Sequence, residues 1–201
     1  MQKVNLEDSI LIERAQTGDR AAFDQLLSKH SERAYQYAFR LTRSQEEASD
    51  IVAEAFVRIY KALGSFKGES AFTTWLYRIE TNCFLDMRKK QRSRPATSLD
   101  AALLTQDGEL ALQIEDNSPS PYHETERRER LTAIEQAVED LPEYQKAMIM
   151  MYHGDMLSYE DIAQTLNLPI GTVKSRLNRA RISLRERLAP NEMFAMELRT
   201  A

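Results

Sequence analysis

The chain is poor in residues that interrupt helices and in residues that cross-link. Its 201 residues include one cysteine, six glycines and six prolines. A single thiol, Cys83, cannot close an internal disulfide, which fits a reducing compartment. Cys83 reads as a small core side chain, with redox sensing as the second reading. No apolar run approaches the roughly 20 residues of a bilayer-spanning helix. The opening stretch, Met1 to Asp8, lacks the apolar core of an export signal. Strand signals are absent: there is no period-two alternation, and Asp107-Gly108 has no alternating flanks. His30, His123 and His153 lie far apart without ligand spacing, and there is no zinc pattern, phosphate-cradling glycine loop or nucleophile–base pair. No catalytic residue, metal or cofactor is therefore expected.

Excess positive charge is also lacking. The formal net charge is −4, which taken alone argues against a nucleic-acid binder. Position reverses that inference. Residues 75–94 sum to +4 and residues 170–188 to +5, while residues 95–129 sum to −6. Two basic helical surfaces are joined by an acidic stretch, and each basic surface ends a helical unit.

Glycine and proline mark the organisation. Neither occurs from Asp19 to Leu63 or from Glu69 to Arg94, so both stretches are predicted helical. Pro95, Gly108, Pro119 and Pro121 fall in a polar segment without sustained apolar period, which reads as a flexible linker with at most a short helix near Leu110–Ile114. The expected fold is all-α: two small helical domains, residues 1–94 and 124–190, joined by an acidic linker over 95–123 and followed by a tail, 191–201. Helices are predicted over 6–17, from Asp19 through Leu41, from Ser44 to Leu63, 72–90, 124–139, from Pro142 through Tyr152, a short one after Ser158, and 170–188. Ser44-Gln45-Glu46-Glu47 matches a capping box, in which the serine oxygen and the Glu47 carboxylate satisfy free backbone N–H groups reciprocally. The apolar stripe Ala48, Ile51, Val52, Ala55, Phe56, Ile59 and Leu63 has helical spacing.

Residues 158–181 have the pattern of a helix-turn-helix. Ile170, Val173 and Leu177 hold the second helix on the first. Its other face presents Thr172, Lys174, Ser175, Arg176, Asn178 and Arg179. Such side chains reach phosphates and base edges in a major groove, where arginine pairs bidentately with guanine.

At these residues a family resemblance emerges. Leu141–Gln145, Leu157–Ala163 and Gly171–Arg181 resemble domain four of the extracytoplasmic-function (ECF) sigma factors, of the sigma-70 superfamily and sigma-E-like. Glu47–Phe56 resembles the core-polymerase-binding helix of sigma domain two, Phe66–Ile79 its promoter-melting segment, and Asn82–Arg92 its minus-ten-reading helix. Ala53 departs from the family, which often has glutamine there, and Glu80-Thr81 replaces the usual small or polar pair.

The resemblance implies an alternative sigma factor, a dissociable specificity subunit of bacterial RNA polymerase with no enzymatic activity of its own. Domain two would bind the clamp helices of the largest subunit through Glu47, Asp50, Glu54 and Arg58; the bland reading of that row is a solvated i, i+4 charge ladder. Lys67, Trp75, Arg78, Asn82, Arg88, Lys89 and Arg92 would hold the melted minus-ten strand by stacking and phosphate contacts. Phe66 and Phe72 read as core, and Trp75 divides evenly between core and DNA wedge. Domain four would bind the flap of the second-largest subunit and read the minus-thirty-five element through Thr172, Lys174, Ser175, Arg176 and Arg179. The acidic linker would thread the RNA channel as a polyanion mimic, through Asp107, Glu109, Glu115 and Asp116. An anti-sigma factor is the further partner implied. No membrane insertion is expected, and the location implied is the bacterial cytoplasm, with nucleoid association when active or retention at the inner membrane by the anti-sigma factor. The competing reading is a helix-turn-helix transcription factor that binds duplex DNA without being a polymerase subunit. A response regulator of that kind would need an α/β receiver domain, whose alternating strands residues 1–94 lack.

Overall fold

A computed structural model of the chain describes residues 5–93, 121–190 and 194. Among them there is no strand. The first unit contains α1 (Leu6–Gln16), α2 (Arg20–Thr42), α3 (Gln45–Ala62), a 3₁₀ turn (Leu63–Ser65) and α4 (Phe72–Ser93). The second contains α5 (Pro121–Glu139), α6 (Glu143–Ile149), a π turn (Met150–Gly154), α7 (Tyr159–Leu166) and α8 (Ile170–Leu188). The linker acids singled out above, Asp107, Glu109, Glu115 and Asp116, lie outside the described residues, as does the segment near Leu110.

Local chemistry sets the boundaries. Asn5, Asp19, Ser44 and Ser158 each cap a helix by accepting a backbone N–H of its first turn. Gly18, at φ 99°, follows the end of α1 in a conformation that glycine adopts without strain. The full reciprocal capping box forms at Ser158 with Asp161. At Ser44 only half of the expected box is present. Ser44 Oγ accepts from the Glu47 N–H at 3.3 Å, but the Glu47 carboxylate turns away to Arg88 and Gln91 of α4. A charged guanidinium outcompetes a neutral N–H for a carboxylate. α5 starts at Pro121 rather than at Glu124, with proline in the first turn, where its missing N–H costs nothing.

α1–α4 pack around Ile12, Leu26, Ala34, Ile59, Leu63, Phe72 and Leu76. Asp8 of α1, buried, meets His30 of α2 at 3.2 Å and Lys29 at 2.9 Å, which fastens α1 to the bundle. Burial holds the His30 pKa below the ordinary histidine value against the pull of Asp8. The second unit closes on Ile162, Val173, Leu177 and Ala180, the inward face of the helix-turn-helix. The two units share one continuous apolar core: Tyr37, Leu41, Tyr77 and Phe84 of the first meet Leu141, Met148, Met151 and Leu157 of the second. Burial of this kind stabilises by about 25 cal/mol per Å² of apolar surface. Cys83 is buried, and its thiol is pushed up to about 11, chiefly by desolvation. That keeps it protonated and unreactive at neutral pH.

Candidate nucleic-acid interface

Three surfaces carry the predicted residues, and a buried seam lies between the units. The first surface is the outer face of α3. Glu47, Asp50, Glu54 and Arg58 follow helical spacing there. Asp50 is exposed, with no ion pair or hydrogen bond among the described residues. The other three are braced. Arg58 Nε donates to Glu54 at 2.7 Å and its Nη1 to Asp86 of α4 at 2.8 Å, and these two carboxylates hold its guanidinium charged. Glu47 pairs with Arg88 at 3.0 Å. The face is thus a rigid rail cross-tied to α4.

The second surface is α4. Trp75, Arg78, Asn82 and Lys89 fall on one stripe, at i, i+3, i+7 and i+14. Arg78, Asn82 and Lys89 are exposed, as is Lys67 in the preceding loop. Trp75 is half-buried. Its ring stacks on Phe66 with centroids 4.6 Å apart and meets Phe72 edge-on at 6.0 Å. The aromatic group therefore combines both readings given to it: Phe72 is core, while Phe66 and Trp75 form a stacked, partly open platform. Arg88 and Arg92 are rotated away from this stripe, Arg88 toward α3 and Arg92 toward the second unit. Arg88 is held by Glu47 and lies 5.3 Å from the Phe84 ring centre. Arg92 pairs with Glu143 of α6.

The third surface is α8. Lys174, Ser175, Asn178 and Arg179 are exposed, Thr172 is half-buried in the first turn, and Val173, Leu177 and Ala180 point inward. Arg176 is turned sideways, its guanidinium 4.8 Å from the Tyr144 ring centre. A second arginine of α8, Arg181, lies 4.8 Å from the Tyr152 ring centre and donates to Tyr159 Oη at 3.3 Å. This hydrogen bond lowers the Tyr159 pKa. Tyr152 and Tyr159 are themselves stacked at 5.1 Å. The stack clamps the start of α7 onto α8 and had no signal in the sequence beyond the abundance of tyrosine.

The seam between the units contains polar groups that sequence reasoning missed. Tyr77 Oη donates to Asp155 Oδ1 at 2.9 Å, and Arg40 pairs with the same oxygen. Glu80 is fully buried beside them. Neither Glu80 oxygen, nor Asp155 Oδ2, has a hydrogen-bond partner among the described residues. Burial, and then the Asp155 charge, push the Glu80 carboxyl well above the usual range. The only signal for this was Glu80 itself, a charged residue where small or polar ones were expected.

This arrangement, helical bundle plus basic helix-turn-helix, has known counterparts. The sequence matches the sigma-70 region 2 model over residues 26–94 and the sigma-70 region 4 model over residues 131–184. It is 37% identical to the RNA polymerase sigma-H factor of Pseudomonas aeruginosa over 188 residues, covering 92% of this chain and 95% of that protein. The chain belongs to the ECF sigma factors of the sigma-70 family. It is also 35% identical to the ECF RNA polymerase sigma-E factor of Escherichia coli K12 over 185 residues, covering 92% of this chain and 96% of that one. As a sigma factor it is a non-enzymatic subunit that associates with RNA polymerase and directs transcription initiation at promoters. The sigma factor's fold matches the structure of the sigma factor RpoE from Bartonella quintana, solved with the anti-sigma factor NepR. That match has a TM-score of 0.56 and 26% identity, covering 85% of this chain and 98% of that one. CnrH, solved with the cytosolic domain of CnrY, shares the fold at a TM-score of 0.64 and 24% identity, covering 92% and 99%. No described helix of this sigma factor is long and apolar enough to cross a membrane.

Proposed function

We propose that residues 1–94 of this sigma factor dock on core polymerase and capture the minus-ten element, that residues 124–190 read the minus-thirty-five element, and that residues 95–123 link them, with 191–201 as a tail. On the α3 rail, Glu47, Asp50, Glu54 and Arg58 meet the clamp helices of the largest subunit, a basic coiled coil suited to an acidic face. On α4, Trp75 and Phe66 offer a stacking platform for an unpaired base, and Lys67, Arg78, Asn82 and Lys89 track the phosphates beside it. Arg88 and Arg92 extend that track once freed from Glu47 and Glu143. On α8, Lys174, Ser175 and Arg179 face the major groove. Thr172 lies in the first turn, where backbone N–H groups attract phosphate, and Arg176 supports the helix from the side. The flap of the second-largest subunit is the polymerase contact of this unit. An anti-sigma factor is the regulatory partner and the cytoplasm the compartment, with nucleoid association when the chain is active and recruitment to the inner membrane when the inhibitor is anchored there.

The observation that carries the reading is the stacked Phe66–Trp75 pair at the head of an exposed basic stripe, because a half-open aromatic platform beside cations is what a single strand needs. Run-off transcription with core polymerase tests it. Specific transcripts are expected only with core and this chain together, and Trp75→Ala lowers their yield. Tight, specific duplex binding by the chain alone, with no transcript from the mixture, would instead identify a free-standing helix-turn-helix regulator.

A further inference from the structure

The second unit leaves one of its helices thinly supported. No residue of α5 from 127 to 136 is buried, and the helix packs into its unit through Ala137 and Val138, with Leu141 just beyond its end. A short helical stretch in water is only marginally stable without a packed face. Two apolar side chains of this stretch, Leu131 and Ile134, are 51% and 39% exposed. At i, i+3 spacing they form one patch.

A buried side chain set against this stretch comes from the far end of the chain. Phe194 is 7% exposed, and its ring centre lies 5.7 Å from Arg130 Cζ. The end of α8 explains how it gets there. α8 stops at Leu188, with Pro190 two residues on. Arg187 donates to the Asp140 carbonyl at 3.0 Å, which sets the end of α8 beside the end of α5. Arg130 lies ten residues back along α5, about 15 Å. Four residues of extended chain, the number from Pro190 to Phe194, span at most ~14 Å. Allowing for the arginine and phenylalanine side chains, Phe194 therefore sits back along α5 from the point where α8 ends.

The rest of the tail has the chemistry of the surface beside it. Met193, Met196 and Leu198 are apolar, and Leu198 follows Phe194 by four residues, the spacing of one helical face. Glu192 and Glu197 are acidic, whereas residues 127–130 of α5 supply three arginines against Glu129. Apolar area and charge are thus complementary between the two segments, and methionine adapts to irregular apolar surfaces.

We propose that residues 191–201 are a clasp for α5. Phe194 is the anchor, stacked on the Arg130 guanidinium. The apolar tail residues cover Leu131 and Ile134, and the tail acids face Arg127 and Arg128. The occupant of this α5 surface is the chain's own tail, and its effect is to hold the first helix of the second unit in place. This gives the tail a role without drawing on polymerase or promoter contacts.

Two measurements on the full chain test it. In hydrogen–deuterium exchange, Phe194→Ala is expected to speed exchange across residues 127–136 at least tenfold while α8 stays within twofold of the parent. Unchanged exchange in α5, or equal acceleration in α8, overturns the clasp. In a Cys83→Ala background, Leu131→Cys and Leu198→Cys are combined and oxidised mildly. An internal disulfide is expected at several times the yield of a control pair, Leu198→Cys with Glu160→Cys on the exposed start of α7, and Phe194→Ala lowers that yield severalfold. A yield no higher than the control, or one indifferent to Phe194→Ala, refutes the docking. A disulfide formed only between two chains also refutes it, because the surface would then take the tail of a second copy.

Discussion

Glu80→Gln gives a quantitative test of the buried seam that needs neither polymerase nor promoter. Glu80 is faced by Asp155 from the turn after α6, by Arg40 and Tyr37 of α2, and by Tyr77 and Cys83 of its own helix. Burial and the Asp155 charge raise its folded pKa well above the ordinary 4.5. The folded chain therefore keeps a proton that the unfolded chain has released. By linkage, stability falls as pH rises from the unfolded value toward the folded one, by up to ~1.4 kcal/mol per pH unit. Between 4.5 and pH 7 the accumulated loss has a ceiling of about 3 kcal/mol. Glutamine has nearly the same shape and no proton to lose, so the variant escapes this slope. Urea unfolding of parent and variant at pH 5 and pH 7.5 measures it. The two midpoints are expected to lie close together at pH 5, with the variant ahead by roughly 1–3 kcal/mol at pH 7.5, which for a chain of this length corresponds to about 2–4 °C in Tm per kcal/mol. A difference between the two proteins that does not change with pH refutes the reasoning, because the buried proton would then not exist.

Asp50→Arg inverts the one charge of the α3 rail that has no brace among the described residues; core-polymerase affinity in a pull-down is expected to drop at least tenfold with helical circular dichroism unchanged, and intact binding would remove α3 from the interface. Arg179→Ala is expected to cost ~1–3 kcal/mol of discrimination among minus-thirty-five sequences if it reads a base; an equal loss on every sequence would make it a phosphate contact. Arg176→Ala, by contrast, loses a cation–π contact worth about 0.5–1 kcal/mol, so thermal stability of the second unit falls more than base discrimination does. Cys83, buried and held protonated, is expected to react with a thiol reagent at the rate of unfolding, and fast labelling of the native chain would contradict its core placement.

How far the sequence carried the fold depends on the range of the interaction involved. α8 runs from Ile170 to Leu188, as its periodicity predicts, because Pro169, the Val173–Leu177–Ala180 face and the basic outer face are all local. The Ser158 cap was equally legible. The Ser44 box was half legible, since nothing near it reveals that Arg88, 41 residues further on, claims Glu47. The division of the α4 residues was not foreseen: Arg88 turns to Glu47 of α3 and Arg92 to Glu143 of the second unit, while Arg78, Asn82 and Lys89 stay open. Both turns depend on which helices pack together, which no periodicity encodes. The Asp155 cluster lay furthest out of reach, because its partners Arg40 and Tyr77 are 115 and 78 residues away. Only the oddity of Glu80 in an otherwise family-like helix hinted at it.

The π turn at Met150–Gly154 has a consequence for how such a contact arises and disappears in evolution. Its wide loop, closed by the Asp155 N–H on the Met150 carbonyl and the Leu157 N–H on the Met151 carbonyl, accommodates one more residue than an α-helical turn. Each residue of a helix advances the direction of its side chain by about 100°. Removing one residue here would leave α6 and the helix-turn-helix individually sound but swing Asp155 away from Arg40. Loss of one codon there separates a sigma factor whose two units share the Asp155–Arg40–Tyr77 contact from one that lacks it, with no change in the sequence of α4 or α8.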